Sequence, residues 1–233
     1  MDITERINHI EQLIDQLELA CHRPPGAVKL IAVSKGHSSG AIEQAFAAGL
    51  RDFAESYFQE AQIKIQALAS QPLCWHFIGP IQSNKTKGIA RSFSWVHSIS
   101  RASIAKQLND ARPISMPPLN VCLQVNIDNE ETKAGISPEN VIELARDVLE
   151  LPQLHLHGLM AIPKQQSDEQ QQYLSFLRLT QLLHTLNQQL NINLDTLSMG
   201  MSDDLKAAIR AGSTMVRIGT GIFGERQGSQ HEH

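Results

Sequence analysis

The chain is predicted to fold as a single parallel (β/α)8 barrel of the TIM type, with an extra N-terminal helix. Three observations predict it. Short apolar runs alternate with amphipathic stretches from Lys29 to Ile218, the pattern of strands joined by crossover helices. The runs number eight, the count that closes a parallel sheet into a barrel. The turn after the first run reads Ser34-Lys35-Gly36-His37, without the glycine fingerprint that an open dinucleotide-binding sheet carries there.

The elements follow in order. Ile3, Ile7, Ile10, Ile14 and Leu17 share one helix face, and Pro24-Pro25-Gly26 breaks the chain after it. Strands are expected at Lys29–Val33, Asp52–Ala54, Trp75–Ile78, Trp95–Ser98, Asn120–Asn126, His155–Ala161, Thr196–Met199 and Met215–Ile218. Asp52–Ala54 and Trp95–Ser98 are short enough to be loops, which would leave an open doubly wound sheet as the rival. Helices are expected near Ser39–Gly49, Ser56–Leu68, Ser83–Arg91, Arg101–Ala111, Pro138–Leu149, Glu169–Leu190 and Ser202–Gly212. Ser202 is a natural N-cap for the last of these, and Gly212 a natural stop. No repeat or linker divides the chain, so residues 1–228 are expected to form one domain and 229–233 a polar, disordered tail.

Composition removes several function classes. A net charge of -4 argues against a general nucleic-acid binder. No apolar run is long enough to cross a bilayer, and the opening segment lacks the core of a signal peptide. Cys21, Cys74 and Cys122 are odd in number and widely spaced, which suits neither a disulfide framework nor a zinc motif. A cytoplasmic protein is expected.

Chemistry in a parallel barrel sits at the carboxyl ends of its strands. Lys35 falls there, two residues past the first strand. Partial burial at a strand mouth favours the neutral amine, which can attack an aldehyde to form a Schiff base. After the eighth strand come Gly219, Thr220 and Gly221, and after the seventh Met199-Gly200-Met201-Ser202-Asp203. Small residues let backbone N–H groups close on an anion, and these two loops are where barrels most often hold phosphate. Arg217, two residues before Gly219, can enter the mouth and donate to a ring nitrogen or an oxyanion. His76, His155 and His157 lack metal-ligand spacing with acidic partners. Asp52 and Glu55 read as a solvated pair, and Lys85, Lys87 and Lys133 as alternative amines or guides for a phosphate.

Seven ordered segments carry a family resemblance. They are AVSK at Ala32–Lys35, ESYFQEA at Glu55–Ala61, WHFIGPIQSNK at Trp75–Lys85, QVN at Gln124–Asn126 with ETKAG at Glu131–Gly135, GLMAIP at Gly158–Pro163, SMGMSDDLKAAI at Ser198–Ile209, and VRIGTGIFG at Val216–Gly224. Together they resemble the pyridoxal 5′-phosphate (PLP) homeostasis family, also called the proline synthetase co-transcribed family, whose fold is similar to the alanine racemase barrel. The resemblance implies that Lys35 carries PLP as a Schiff base and that Ser202, Gly219 and Thr220 bind its phosphate. It also implies that Arg217 faces the pyridine nitrogen and that His76, Asn84, Met160 and Met199 line the pocket. The chain departs from the family's Gly-Glu-Asn at Ala54-Glu55-Ser56, which ranks Ser56 low as a ligand.

Two functions follow from that resemblance. One is a non-catalytic carrier acting in intracellular vitamin B6 homeostasis and delivering PLP to apo-enzymes. The other is a slow amino-acid racemase, which would need acid/base groups on both faces of the substrate carbon. With few residues after Gly224, no second domain supplying a tyrosine is expected, and Tyr57 and Tyr173 are poor replacements. An unprotonated pyridine facing Arg217 would also be a weak electron sink. The carrier is the expectation, as a monomer. A third reading, a Schiff-base aldolase acting on a sugar phosphate, fits less well because Lys35 follows the first strand rather than a later one.

Overall fold

Apolar runs buried on both faces need helices outside and side chains inside, and that is how this chain is built. The computed structural model describes residues 1–128, 130 and 133–225. Helix α1 (Ile3–Ala20) leads into β1 (Lys29–Val33), α2 (Ser39–Ala47), β2 (Asp52–Glu55), α3 (Phe58–Ala67) and β3 (Cys74–Phe77). Then come α4 (Thr86–Ser92), β4 (Trp95–Ile99), α5 (Ala102–Ala111), β5 (Leu119–Gln124), α6 (Val141–Leu149) and β6 (Leu154–Met160). The chain continues through α7 (Glu169–Leu190), β7 (Thr196–Ser198), α8 (Leu205–Arg210), β8 (Met215–Ile218) and α9 (Thr220–Phe223). The strands pair in sequence order as a closed barrel, and the ring shuts where β1 lies parallel to β8, Ile31 opposite Arg217. Both short runs are strands, so the open-sheet rival falls.

Period-two alternation sorts the side chains. Ile31, Val33, Ala54 and Met215 form a small cluster of their own, while their neighbours Ala32, Phe53, Val216 and Ile218 join the larger core with the helices. The first set is the inward row, and continuing it past β1 reaches Lys35. Helix α1 starts on a capping box between Asp2 and Glu5 and buries Ile7, Ile10 and Ile14. Its buried Glu18 accepts from the backbone N–H groups of Gly26 (2.9 Å) and Val28 (2.7 Å), which anchors the turn into β1.

Where boundaries move, the cause is local. Helix α3 starts at Phe58, leaving Ser56 on the mouth of β2, two residues beyond the inward Ala54. Ser202 does not cap α8; the N-cap position is Asp204. The Asp204 carboxylate accepts from the Met201 N–H at 2.6 Å, so the loop turns on itself before the helix begins. Helices α4 and α6 are each entered through a 3-10 turn, Ser83–Lys85 and Pro138–Asn140. Glu131 and Thr132, and the expected tail 229–233, lie outside the described residues.

One contact across the mouth is close enough to test. A Cβ at Gly79 would fall 1.9 Å from the Ser56 carbonyl oxygen, which is backbone and cannot step aside. Gly79→Ala is therefore expected to cost about 1–3 kcal/mol in urea unfolding, the range for overpacking a filled site. No helix among the described residues is long and apolar enough to cross a membrane.

Candidate functional site

The carboxyl ends of the strands enclose a cavity of about 400 Å³, within the usual range for small-molecule sites. Lys35, Arg217, Gly219, Thr220 and Ser202 all line it. Val33, Ile78 and Ile162 supply apolar wall, and Ser56, His37 and Asp203 add polar groups.

Lys35 is held by what flanks it. The Ser34 carbonyl accepts from Lys64 Nζ at 2.7 Å, and the Gly36 N–H donates to Glu60 Oε1 at 2.6 Å. Lys64 also donates to Glu60 Oε1 (2.6 Å) and to Glu55 Oε1 (2.7 Å), which accepts from Ser34 Oγ as well (2.6 Å). Glu55 is wholly buried. Burial raises its carboxyl above the ordinary range, against the downward pull of Lys64 and Ser34. Glu55 is thus no solvated acid: α3 packs its Glu60–Lys64 pair onto the ends of β1 and β2 and seals the carboxylate beneath. Asp52 lies at the opposite end of β2, bonded to His76 and Lys29.

Arg217 projects inward from β8 and is buried. Its Nη1 donates to the Ser198 carbonyl (2.6 Å) and hydroxyl (2.7 Å), and its Nη2 to the Ala161 carbonyl (3.1 Å). Burial lowers its pKa to about 10, and nearby Asp204 works the other way. At neutral pH it remains a cation.

The two glycine loops meet at the same wall. A Cβ on Gly219 would lie 3.3 Å from the Val33 carbonyl oxygen, and one on Gly221 3.4 Å from Ser202 Oγ. Bare backbone lets β1, the β7 loop and the β8 loop close together there. Gly219 holds the N-cap position of α9, a turn the sequence did not announce, and the first N–H groups of a helix have no carbonyl partner within it. Gly200 sits at φ +98°, where a Cβ would strike Ala208.

Four residues expected at the pocket do not line the cavity. His76 is sealed in the barrel interior, bonded to Asp52 and His97, because the inward row of β3 places it a full pleat below Ile78. Asn84 is exposed in the 3-10 turn before α4. Met160 is wholly buried, and Met199 belongs to the core shared with the helices. Ser56, ranked low, does line it. Lys133 pairs with Glu130 at 3.3 Å in an adjoining hollow, and Lys85 and Lys87 are not in the wall.

Over 224 residues the chain is 53% identical to the pyridoxal phosphate homeostasis protein of Pseudomonas aeruginosa, covering 96% of each. The chain belongs to the pyridoxal phosphate homeostasis protein family. The Escherichia coli member is 46% identical, covering 98% of this chain and 99% of its own. The family model "Alanine racemase, N-terminal domain" matches residues 7–227. Among solved structures, Synechococcus elongatus PipY with PLP bound superposes at a TM-score of 0.82 with 33% identity, covering 96% of this chain and all of PipY (100%). Corynebacterium glutamicum alanine racemase superposes at 0.71 with 15% identity, this chain spanning 66% of it. That likeness is one of fold alone.

In this chain the strand-end motifs are visible in the sequence, but the support behind Lys35 is not. Glu60 and Lys64 read as an ordinary i,i+4 surface pair. The one sign of another role is that Glu60 shares the Glu55–Ala61 motif with Glu55; Lys64 lies beyond it.

Proposed function

We propose that this protein binds PLP in the cavity at the barrel mouth, covalently on Lys35, and acts as a carrier in vitamin B6 homeostasis. The observation behind this is the shared wall: an amine, a buried guanidinium and two glycine loops face one cavity. The donor set fits the group. Ser202 Oγ, Thr220 and the backbone at Gly219 suit a phosphate, Arg217 suits a ring nitrogen, and the cavity volume suits a phosphorylated pyridine. When bound, the group supplies an aldehyde that condenses reversibly with an amine.

The protein's own part is to hold and orient. The Lys64–Glu60 clamp fixes the peptide groups on either side of Lys35. Arg217 can only donate, so a ring nitrogen facing it stays unprotonated, which suits storage better than carbanion chemistry. Tyr57 is 62% exposed, and Tyr173 lies under Arg210 with 4.1 Å from the guanidinium to the ring centroid. Neither lines the cavity, which favours a carrier over a racemase. The reading places the protein in the cytoplasm, as a monomer handing PLP to apo-enzymes.

The test compares wild type and Lys35→Ala after PLP loading. Wild type should show a visible band that borohydride removes while fixing the cofactor's mass to the Lys35 peptide. The variant should lose both. A borohydride-fixed label at another lysine in wild type would overturn the assignment of Lys35. Racemisation of any amino acid above background would favour the enzyme over the carrier.

A further inference from the structure

The opposite end of the barrel carries chemistry that the mouth does not use. Cys74 and His76 are two residues apart on β3 and so share a face. Asp52 is the register partner of Cys74 on β2. Cys74 Sγ lies 3.4 Å from His76 Nε2, and His76 Nε2 lies 2.9 Å from Asp52 Oδ1. All three donor atoms fall within 4.8 Å of one another.

We infer that Asp52, Cys74 and His76 form a binding site for a zinc-class divalent ion at the amino-terminal end of the barrel. Tetrahedral coordination with bonds of about 2.0–2.3 Å separates ligand atoms by roughly 3.3–3.6 Å. The sulfur–nitrogen distance already meets this, and the nitrogen–oxygen pair needs to open by a few tenths of an ångström. A thiolate, an imidazole and a carboxylate suit a borderline ion and disfavour magnesium or calcium. Three protein ligands leave the fourth position for water. Asp52 and Cys74 are only partly buried, which gives the ion a route in. Lys29 Nζ, 3.3 Å from Asp52 on a side chain 47% exposed, can swing out to solvent.

The thiol is held in its protonated form, its pKa pushed up to about 11 by burial and by Asp52. A cation opposes both causes, and on binding the Cys74 proton leaves to solvent as the sulfur–metal bond forms. His76 also has the outer partner that metal-bound imidazoles use, with its Nδ1 2.9 Å from His97 Nε2. Without metal, Arg217 donates to Ser198, Ser198 to His97 Nδ1, His97 Nε2–H to His76, and His76 Nε2–H to Asp52. This order follows because Arg217 can only donate and ionised Asp52 can only accept. Once Nε2 of His76 binds an ion, its hydrogen must sit on Nδ1 and point at His97. His97 then carries its own hydrogen on Nδ1 and donates to Ser198. Each group keeps one hydrogen, and metal occupancy is written into the hydrogen bonds beside Arg217.

The test titrates Co2+ into chelator-treated protein and follows thiolate-to-cobalt absorption in the near ultraviolet. Zn2+ should compete for the site. Expected results are a saturable band at one ion per chain, no band in Cys74→Ser, and affinity at least about tenfold weaker in Asp52→Asn. Urea midpoints near wild type would show both variants folded. Nitrogen-15 spectra of the histidines should show His97 changing tautomer on Zn2+ addition. Absence of the band in folded wild type, or its survival in Cys74→Ser, would overturn the site, the latter pointing to Cys21 or Cys122.

Discussion

Lys64→Met is expected to lower unfolding stability at pH 7 by about 3–5 kcal/mol, the cost of removing one partner from a buried ion pair. The side chain of Lys64 is 6% exposed and that of Glu55 0%. Methionine keeps much of the stem but leaves the Glu55 carboxylate facing only the Ser34 hydroxyl. Glu55 Oε2 already has no hydrogen-bond partner, so nothing else can absorb the charge. The carboxyl, already raised by burial, would take up a proton more readily once Lys64 is gone. Stability lost at pH 7 should therefore be partly regained as pH falls toward 5. Lys64→Met with Glu55→Gln should recover part of the loss at pH 7, since the orphaned charge is removed. A second readout lies at the mouth. The Ser34 carbonyl and the Glu60 carboxylate that holds Gly36 both lose their lysine, so the loop bearing Lys35 should loosen and PLP should leave faster. Urea titration and PLP release measure the two effects separately. A Lys64→Met stability within 1 kcal/mol of wild type would show that the pair contributes far less than its burial implies.

The strands and most helices were legible because their signal is periodic and local. Strands β1 and β8 and helix α7 occupy the predicted residues, each a run bounded by turn residues. That Lys35, Ser202, Arg217, Gly219 and Thr220 gather at one cavity was legible for a related reason: strand ends are marked in the sequence, and a parallel barrel brings them to one face. What stayed hidden depends on register. The pocket role expected of His76 comes from the family resemblance of its motif alone, not from its place on the strand. Only the inward row of β3 shows that it lies deep in the interior. His97 and Ser198 carry no sequence signal at all. They are 101 positions apart and meet because β4 and β7 face each other across the barrel interior. Lys64 was missed because helical spacing explains its pairing with Glu60 and says nothing of what covers it. Ser202 was misread as a cap because a local motif, serine before a helix, was also available to Asp204.

That buried polar interior makes the fold acid-sensitive. In chelator-treated protein, stability is expected to fall as pH drops from about 7 to 5, with a slope approaching 1.4 kcal/mol per pH unit for each histidine kept neutral by the fold. Burial depresses the pKa of His76, His97 and His157, and His97 lies furthest below the ordinary value. Desolvation is the main cause at His97, with His76 and Arg217 adding to it. The sign follows from linkage. Above about 6.5 both folded and unfolded histidines are neutral and the term vanishes. Below it the unfolded chain binds protons that the folded chain refuses, so stability is lost as pH falls toward the depressed folded values. Asp52 favours the charged form of His76, but desolvation outweighs it. Glu55 and Asp204, raised by burial, act in the opposite direction, because the folded state holds their protons longer. His97→Asn isolates one histidine from these other terms. It removes a single titrating group, so stability measured by urea at pH 7 and 5.5 should differ less in the variant than in wild type. Equal pH dependence in the two proteins would mean that His97 accepts a proton inside the folded barrel. The hydrogen-bond order running from Arg217 to Asp52 would then have to reverse at His97, because a doubly protonated ring cannot accept from Ser198.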